Sequence, residues 1–241
     1  MPRGADPDDV EARVRALADR YALSDGSISQ LLAFHRLLVE DALAPTAIRD
    51  PLEAIDNHLA DSLVGLELEP VRAARRLADL GSGAGLPGLP LAIALPETSV
   101  ALVESASRRS AFLDRAVAVS EATNAVVVNE RAEAWPAGLA AFDVVTARAL
   151  APLPVVVEYA APLLVVGGML VAWRGKRNPR DEDAAVRAAA QLGLEPVEIR
   201  HMQPFPAAEH RYLHLMSKVM DTPSGFPRRA GIAIKHPLGA R

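Results

Sequence analysis

The hydrophobic positions of this chain change their period once, near residue 76. Ahead of that point apolar residues recur every three to four positions, the spacing of one helix face. Val10, Val14, Leu17 and Tyr21 make such a stripe over residues 7 to 22, with acidic side chains around it, and predict an amphipathic helix. A break at Ser24-Asp25-Gly26-Ser27 follows, with Ser27 expected as the N-cap of a second helix carrying Ile28, Leu31, Leu32, Phe34, Leu37 and Leu38. Pro45 marks an end. Asp50-Pro51 reads as an N-cap with proline at the first helical position, opening a third helix from Leu52 to about Leu66 that contains His58, Asp61 and Ser62.

From Arg76 short apolar runs alternate with longer helical ones. Strands are expected at Leu77–Leu80, Ser99–Glu104, Ala125–Asn129, Phe142–Thr146, Met169–Trp173, Glu195–His201 and Tyr212–Met216. Helices are expected at Leu89–Leu95, Ser107–Ser120, Leu153–Leu164 and Asp181–Leu192. Such alternation predicts a parallel α/β sheet, and the short link between the last two strands predicts an antiparallel hairpin at one edge. Residues 1–75 read as a helical cap, 76–220 as the α/β core, and 221–241, rich in Pro, Gly and basic residues, as an extended tail.

Composition narrows the chemistry. Half of the 241 residues are apolar, enough for a sizeable core, and no run of about 18 apolar residues predicts a membrane span. The polar, acidic N-terminus is unlike a signal peptide, and a cytoplasmic location is expected. With no cysteine, disulfides, thiolate metal sites and cysteine nucleophiles are excluded. The net charge of −4 divides unevenly: −8 over residues 1–70, −1 over 71–170 and +5 over 171–241. A basic face can therefore sit on an acidic protein, although a merely solvated surface gives the same count.

The stretch Asp79-Leu80-Gly81-Ser82-Gly83-Ala84-Gly85-Leu86-Pro87-Gly88 joins the first strand of the core to a helix. Closely spaced glycines let a backbone turn sharply and lie against a ligand. Gly83 to Gly88 satisfies G-x-G-x-x-G, and Glu104 lies 21 residues beyond Gly83, which taken alone suggests a dinucleotide. That motif, however, wants its first glycine directly after the strand. Here Gly81 and Ser82 intervene and Asp79 lies in the strand end, so Asp79-x-Gly81-x-Gly83-x-Gly85 resembles the D-x-G-x-G-x-G signature of S-adenosylmethionine-dependent methyltransferases. That cofactor carries an ammonium and a sulfonium, which a carboxylate such as Asp79 favours directly or through water, while Glu104 is placed to accept from its ribose hydroxyls. A ligand-free turn is the plain alternative. The seven-strand layout agrees with a class I methyltransferase.

A more specific resemblance covers residues 31 to 238. Asp79-Leu80-Gly81-Ser82-Gly83-Ala84-Gly85-Leu86-Pro87-Gly88, Thr46-Ala47-Ile48-Arg49-Asp50-Pro51 with His58-Leu59-Ala60-Asp61-Ser62, Glu104-Ser105 with Arg108-Arg109 and Phe112-Leu113, Arg131-Ala132-Glu133, Thr146-Ala147-Arg148-Ala149 and the basic tail are together similar to the glucose-inhibited division protein B family. Its members are bacterial guanine-N7 methyltransferases of small-subunit ribosomal RNA. The resemblance implies S-adenosylmethionine as cofactor, and 16S ribosomal RNA or the small ribosomal subunit as partner of a monomeric enzyme. It implies a cofactor pocket of Gly81, Leu86, Ala132, Glu133 and Arg148, joined by Asp79, Gly83, Gly85 and Glu104 from the motif reading. Departures are Val39-Glu40 and Ala44-Pro45 where members carry W-N and N-L, and Trp173-Arg174-Gly175 where many have Leu-Lys-Gly.

The residues after the fourth strand, Ala147-Arg148-Ala149-Leu150, lack the Asn/Asp-Pro-Pro-aromatic motif of enzymes acting on exocyclic base amines. Pyrimidine C5 methylation normally needs a cysteine. Guanine N7 has an in-plane lone pair and loses no proton, so in-line placement suffices and no general base is required. Arg148 is expected to position the acceptor. Candidate RNA contacts are Arg174, Lys176, Arg177, Arg180, Arg211, Arg228, Arg229 and Lys235. His58 is expected to be a structural hydrogen-bond partner, and no metal is expected. The rivals to this reading are a nicotinamide-dependent oxidoreductase and a non-catalytic ribosome-binding protein.

Overall fold

The computed structural model describes residues 6–239. The first five residues of the polar N-terminus and the last two of the tail lie outside the described residues. Seven strands form one sheet: β1 Arg76–Leu80, β2 Ser99–Val103, β3 Ala125–Val128, β4 Phe142–Arg148, β5 Leu164–Arg174, β6 Leu194–His201 and β7 Tyr212–Lys218. Their spatial order is β3-β2-β1-β4-β5-β7-β6, with β7 antiparallel to both neighbours and the first five parallel. The order reverses between β1 and β4, and at such a switch point the strands' carboxyl ends leave a crevice.

Strand residues alternate between two cores. Leu77, Val100, Leu102, Val144 and Val171 face a cluster shared with Leu17, Phe34, Leu59 and Phe112, so the N-terminal helices and one sheet face have a common interior. Ala78, Leu80, Val103, Val145 and Ala172 face the other cluster, covered by the helices Leu153–Ala160 and Pro179–Leu192. Burial on both faces explains why the parallel strands read as unbroken apolar runs.

Four expectations are corrected. The second helix spans Asp25–Glu40 and is capped by Ser24, whose hydroxyl accepts from the Ser27 amide, so the cap lies one turn ahead of the expected Ser27. The third helix is composite: Pro51–Ala54 is α-helical, Ile55–Ala60 is a π-turn, Asp61–Leu63 returns to α, and Val64–Glu67 is 3₁₀. The helix after β4 ends at Ala160, and β5 begins at Leu164, five residues before the expected strand start. Gly167, at φ +89, lets the strand continue through the irregularity opposite Phe142 and Val144, where the glycine pair otherwise reads as a break. The tail is not extended. It folds back and forms the short helix Ile232–Lys235, with Ala233 buried in the second core.

Candidate active site

The parallel register sets Asp79 beside Thr146, and the Thr146 hydroxyl donates to Asp79 Oδ1 at 2.8 Å. The other oxygen, Oδ2, accepts from the Gly88 amide at 3.2 Å, possible because Gly88 has no Cβ; one would lie 2.7 Å from the Asp79 side chain. Asp79 is fully buried, and this burial pushes its carboxyl up to about 6. With both oxygens engaged in this way, Asp79 pins the loop from behind. Gly85 also faces inward, where an added Cβ would press on Leu113, Leu89 and Phe34 at 3.4 Å.

Gly81, Gly83 and Leu86 do face the crevice. Gly83 holds φ +55, and a Cβ there would meet nothing nearer than the Gly81 carbonyl at 3.7 Å, so the space above it is open. Glu104, one residue past β2, accepts from the Gly83 amide at 3.2 Å through Oε2 and from the Ala106 amide at 2.8 Å through Oε1. Each oxygen keeps a further lone pair, so the side chain can still receive a ribose hydroxyl. Ala132 and Glu133 lie in the loop after β3, at the end of the crevice where a purine ring would sit beyond that ribose. The open glycine cradle, a carboxylate at its rim and a partly apolar end fit S-adenosylmethionine.

Three cavities lie side by side along this edge. The first, about 140 Å³, includes Gly81, Ala132, Glu133 and Tyr159 in its walls. The second, about 220 Å³, shares Gly81 with the first and adds Gly83, Leu86, His58 and Arg148. The third, about 390 Å³, shares His58, Arg148 and Ala149 with the second and opens past Trp173, Lys176 and Arg211.

A charged cluster forms the wall of the third cavity. Arg148 Nη1 donates to Asp61 Oδ2 at 2.6 Å and to the Asn57 carbonyl at 3.1 Å. Arg211 Nε donates to Asp61 Oδ1 at 2.9 Å and its Nη2 to Asn57 Oδ1 at 3.1 Å. Asp61 is buried, and Trp173 Nε1 donates to its backbone carbonyl at 2.7 Å. The π-turn carries Asn57 and His58 and hands on to Asp61, so a single local widening of the helix supplies this whole face. His58 exchanges a hydrogen bond with Thr46 Oγ1 at 2.8 Å, while its Nδ1 is buried without a partner. Burial, and then the Arg148 cation, hold its pKa down at about 4, which leaves the ring neutral.

The basic residues expected on RNA separate into distinct settings. Arg211 belongs to the cluster just described. Arg174, in the wall of the third cavity, is held by Asp181 at 2.9 Å, and Arg177 by Glu182 at 2.6 Å. Lys176, Arg229 and Lys235 are exposed and have no ion pair among the described residues, and Arg180 is exposed as well. Arg228 turns inward onto Glu158. Sequence reasoning missed Asn57 and Asp61 as site residues, although Asp61 stands in a quoted motif. Their spacing of four gave a signal, whereas Tyr159 and Ile234 at the first cavity gave none. Among the described residues no helix is long and apolar enough to cross a membrane.

Comparison with known proteins agrees with this geometry. Residues 28–209 match the family model GidB, described as rRNA small subunit methyltransferase G. The chain is 39% identical to the ribosomal RNA small subunit methyltransferase G of Desulfitobacterium hafniense, over 90% of this chain and 91% of the relative. It is 42% identical to that of Chloroflexus aggregans, over 87% and 90%. Among solved structures, a SAM-dependent O-methyltransferase from Thermotoga maritima shares the fold at a TM-score of 0.55 and 16% identity, covering 80% of this chain and 73% of that one. Sequence and architecture thus converge, and the chain belongs to the GidB family of small-subunit ribosomal RNA methyltransferases.

Proposed function

We propose that the row of three cavities is where this S-adenosylmethionine-dependent methyltransferase of 16S ribosomal RNA holds its two substrates. The cofactor would lie in the first and second cavities, across Gly81, and the acceptor guanine would enter the third. The observation that carries this reading is the shared wall: Arg148 and His58 border both the second and third cavities, so the two compartments meet there.

S-adenosylmethionine, when bound, supplies an electrophilic sulfonium methyl for the N7 lone pair to attack. The chain's own task is placement. Glu104 and the Gly83 backbone hold the ribose end, and Asp79 keeps that backbone in position from the core. Arg148, fixed by Asp61 and the Asn57 carbonyl, presents its guanidinium at the junction, where it can hold the guanine edge or an adjacent phosphate. N7 attack releases no proton, so the neutral, buried His58 need not act as a base. Lys176 at the mouth supplies charge for the RNA backbone.

Transfer of label from methyl-tritiated cofactor into small ribosomal subunits lacking this modification, followed by chemical cleavage at N7-methylguanine, tests the reading. Label is expected at a single guanine N7. Label at another atom overturns the acceptor assignment, and no incorporation into naked RNA or any small-subunit particle points to a binding role alone. Calorimetric binding of NADPH in place of S-adenosylhomocysteine would overturn the cofactor assignment.

A further inference from the structure

Past β7 the chain returns over the helix Leu153–Ala160 and comes to lie beside the first cavity. Ile234 forms part of that cavity's wall together with Val103, Leu150 and Tyr159, yet it is 58% exposed. Two polar anchors hold the segment. The Gly231 amide donates to Glu133 Oε1 at 3.0 Å. Arg228 forks onto Glu158, with Nε 2.6 Å from Oε1 and Nη2 on Oε2, and Nη2 also donates to the His236 carbonyl at 2.9 Å. Glu158 is 2% exposed and has no other side-chain partner among the described residues, so a buried carboxylate depends on the tail for its countercharge. Removing one member of such a pair is strongly destabilising. On the same short segment Arg229 and Lys235 point their charges into solvent.

We propose that residues 226–239 complete the cofactor site, with Ile234 covering the adenine ring of S-adenosylmethionine and Arg228 setting the segment's position. The inference rests on the assignment of this crevice to the cofactor. It moves Arg228 from RNA contact to pocket construction. The apolar rim residue becomes buried only when a flat ring lies beneath it, which contributes binding free energy that the free protein lacks. RNA phosphates held by Arg229 and Lys235 keep the segment against the core, so RNA and cofactor strengthen each other's binding.

Equilibrium dialysis with radiolabelled S-adenosylhomocysteine tests this. The wild-type protein must bind the label; if it does not, the cofactor assignment itself fails, separately from the tail. Ile234→Asp should weaken binding at least tenfold with little change in thermal midpoint, because the side chain is largely exposed in the free protein, and Ile234→Leu should restore most of it. Unaltered affinity in Ile234→Asp overturns the covering role. Adding small ribosomal subunits that lack the methyl group should tighten wild-type binding about fivefold, and Arg229→Ala/Lys235→Ala should lose that tightening. No tightening in the wild type, or equal tightening in the variant, overturns the coupling.

Discussion

At the scale of single residues, buried polar groups do more here than the glycines that drew attention first. Asp79 and His58 titrate in overlapping windows with opposite signs. Asp79 has its folded pKa raised from 3.8 to about 6, so its contribution is favourable when protonated and is lost as pH rises through that interval. His58 has its folded pKa lowered from 6.5 to about 4, so its contribution is present above 6.5 and lost as pH falls towards 4. Each shift corresponds to about 3 kcal/mol, and the two largely cancel in the native protein. Urea unfolding at pH 4 and pH 7 should separate them. Relative to wild type, His58→Gln should gain stability on acidification and Asp79→Asn should lose it. Differences of the same sign in both variants would remove this account. Gly83→Val should weaken S-adenosylhomocysteine binding more than tenfold by filling the open space above the loop. Its unfolding free energy should fall only by the roughly 1–2 kcal/mol of a left-handed residue, and retained affinity would argue against the loop as the site.

At the scale of elements, the π-turn Ile55–Ala60 decides the acceptor side. It places Asp61 and Asn57 so that one carboxylate, with the Asn57 carbonyl and side-chain amide, gathers Arg148 from β4 and Arg211 from just ahead of β7. Arginine suits this arrangement because its planar fork can serve several acceptors at fixed angles. Asp61→Asn should reduce kcat/KM for ribosomal RNA at least tenfold while S-adenosylhomocysteine affinity stays within threefold of wild type. Equal losses in both measurements would indicate general damage to the fold. The composite helix was legible as a helix from its N-cap and apolar stripe. Its π-turn was not, because no residue type demands one.

At the scale of the molecule, charge is sorted by the fold. Arg177 and Arg228, which resemble neighbouring basic residues in sequence, are neutralised by Glu182 and Glu158, whereas Lys176 stays exposed. Lys176→Ala should therefore weaken RNA binding and lower the slope of log affinity against log salt by about one. Arg177→Ala should change that slope less, and the reverse ranking would relocate the RNA surface.

The sequence by itself determined the strand and helix alternation, the switch-point loop, the cofactor class and the family, because each is written in short-range patterns: apolar period, glycine spacing, a carboxylate at a strand end. Tertiary structure alone decided which of those residues face the crevice. Asp79 and Gly85 belong to the same motif as Gly81 and Gly83, yet they point into the core: Asp79 lies inside a strand buried on both faces and Gly85 packs on Leu113, Leu89 and Phe34, while the turn between them faces the crevice. It also decided that the basic tail folds back on Glu133 and Glu158, partners 98 and 70 residues away, at separations over which no local pattern carries information.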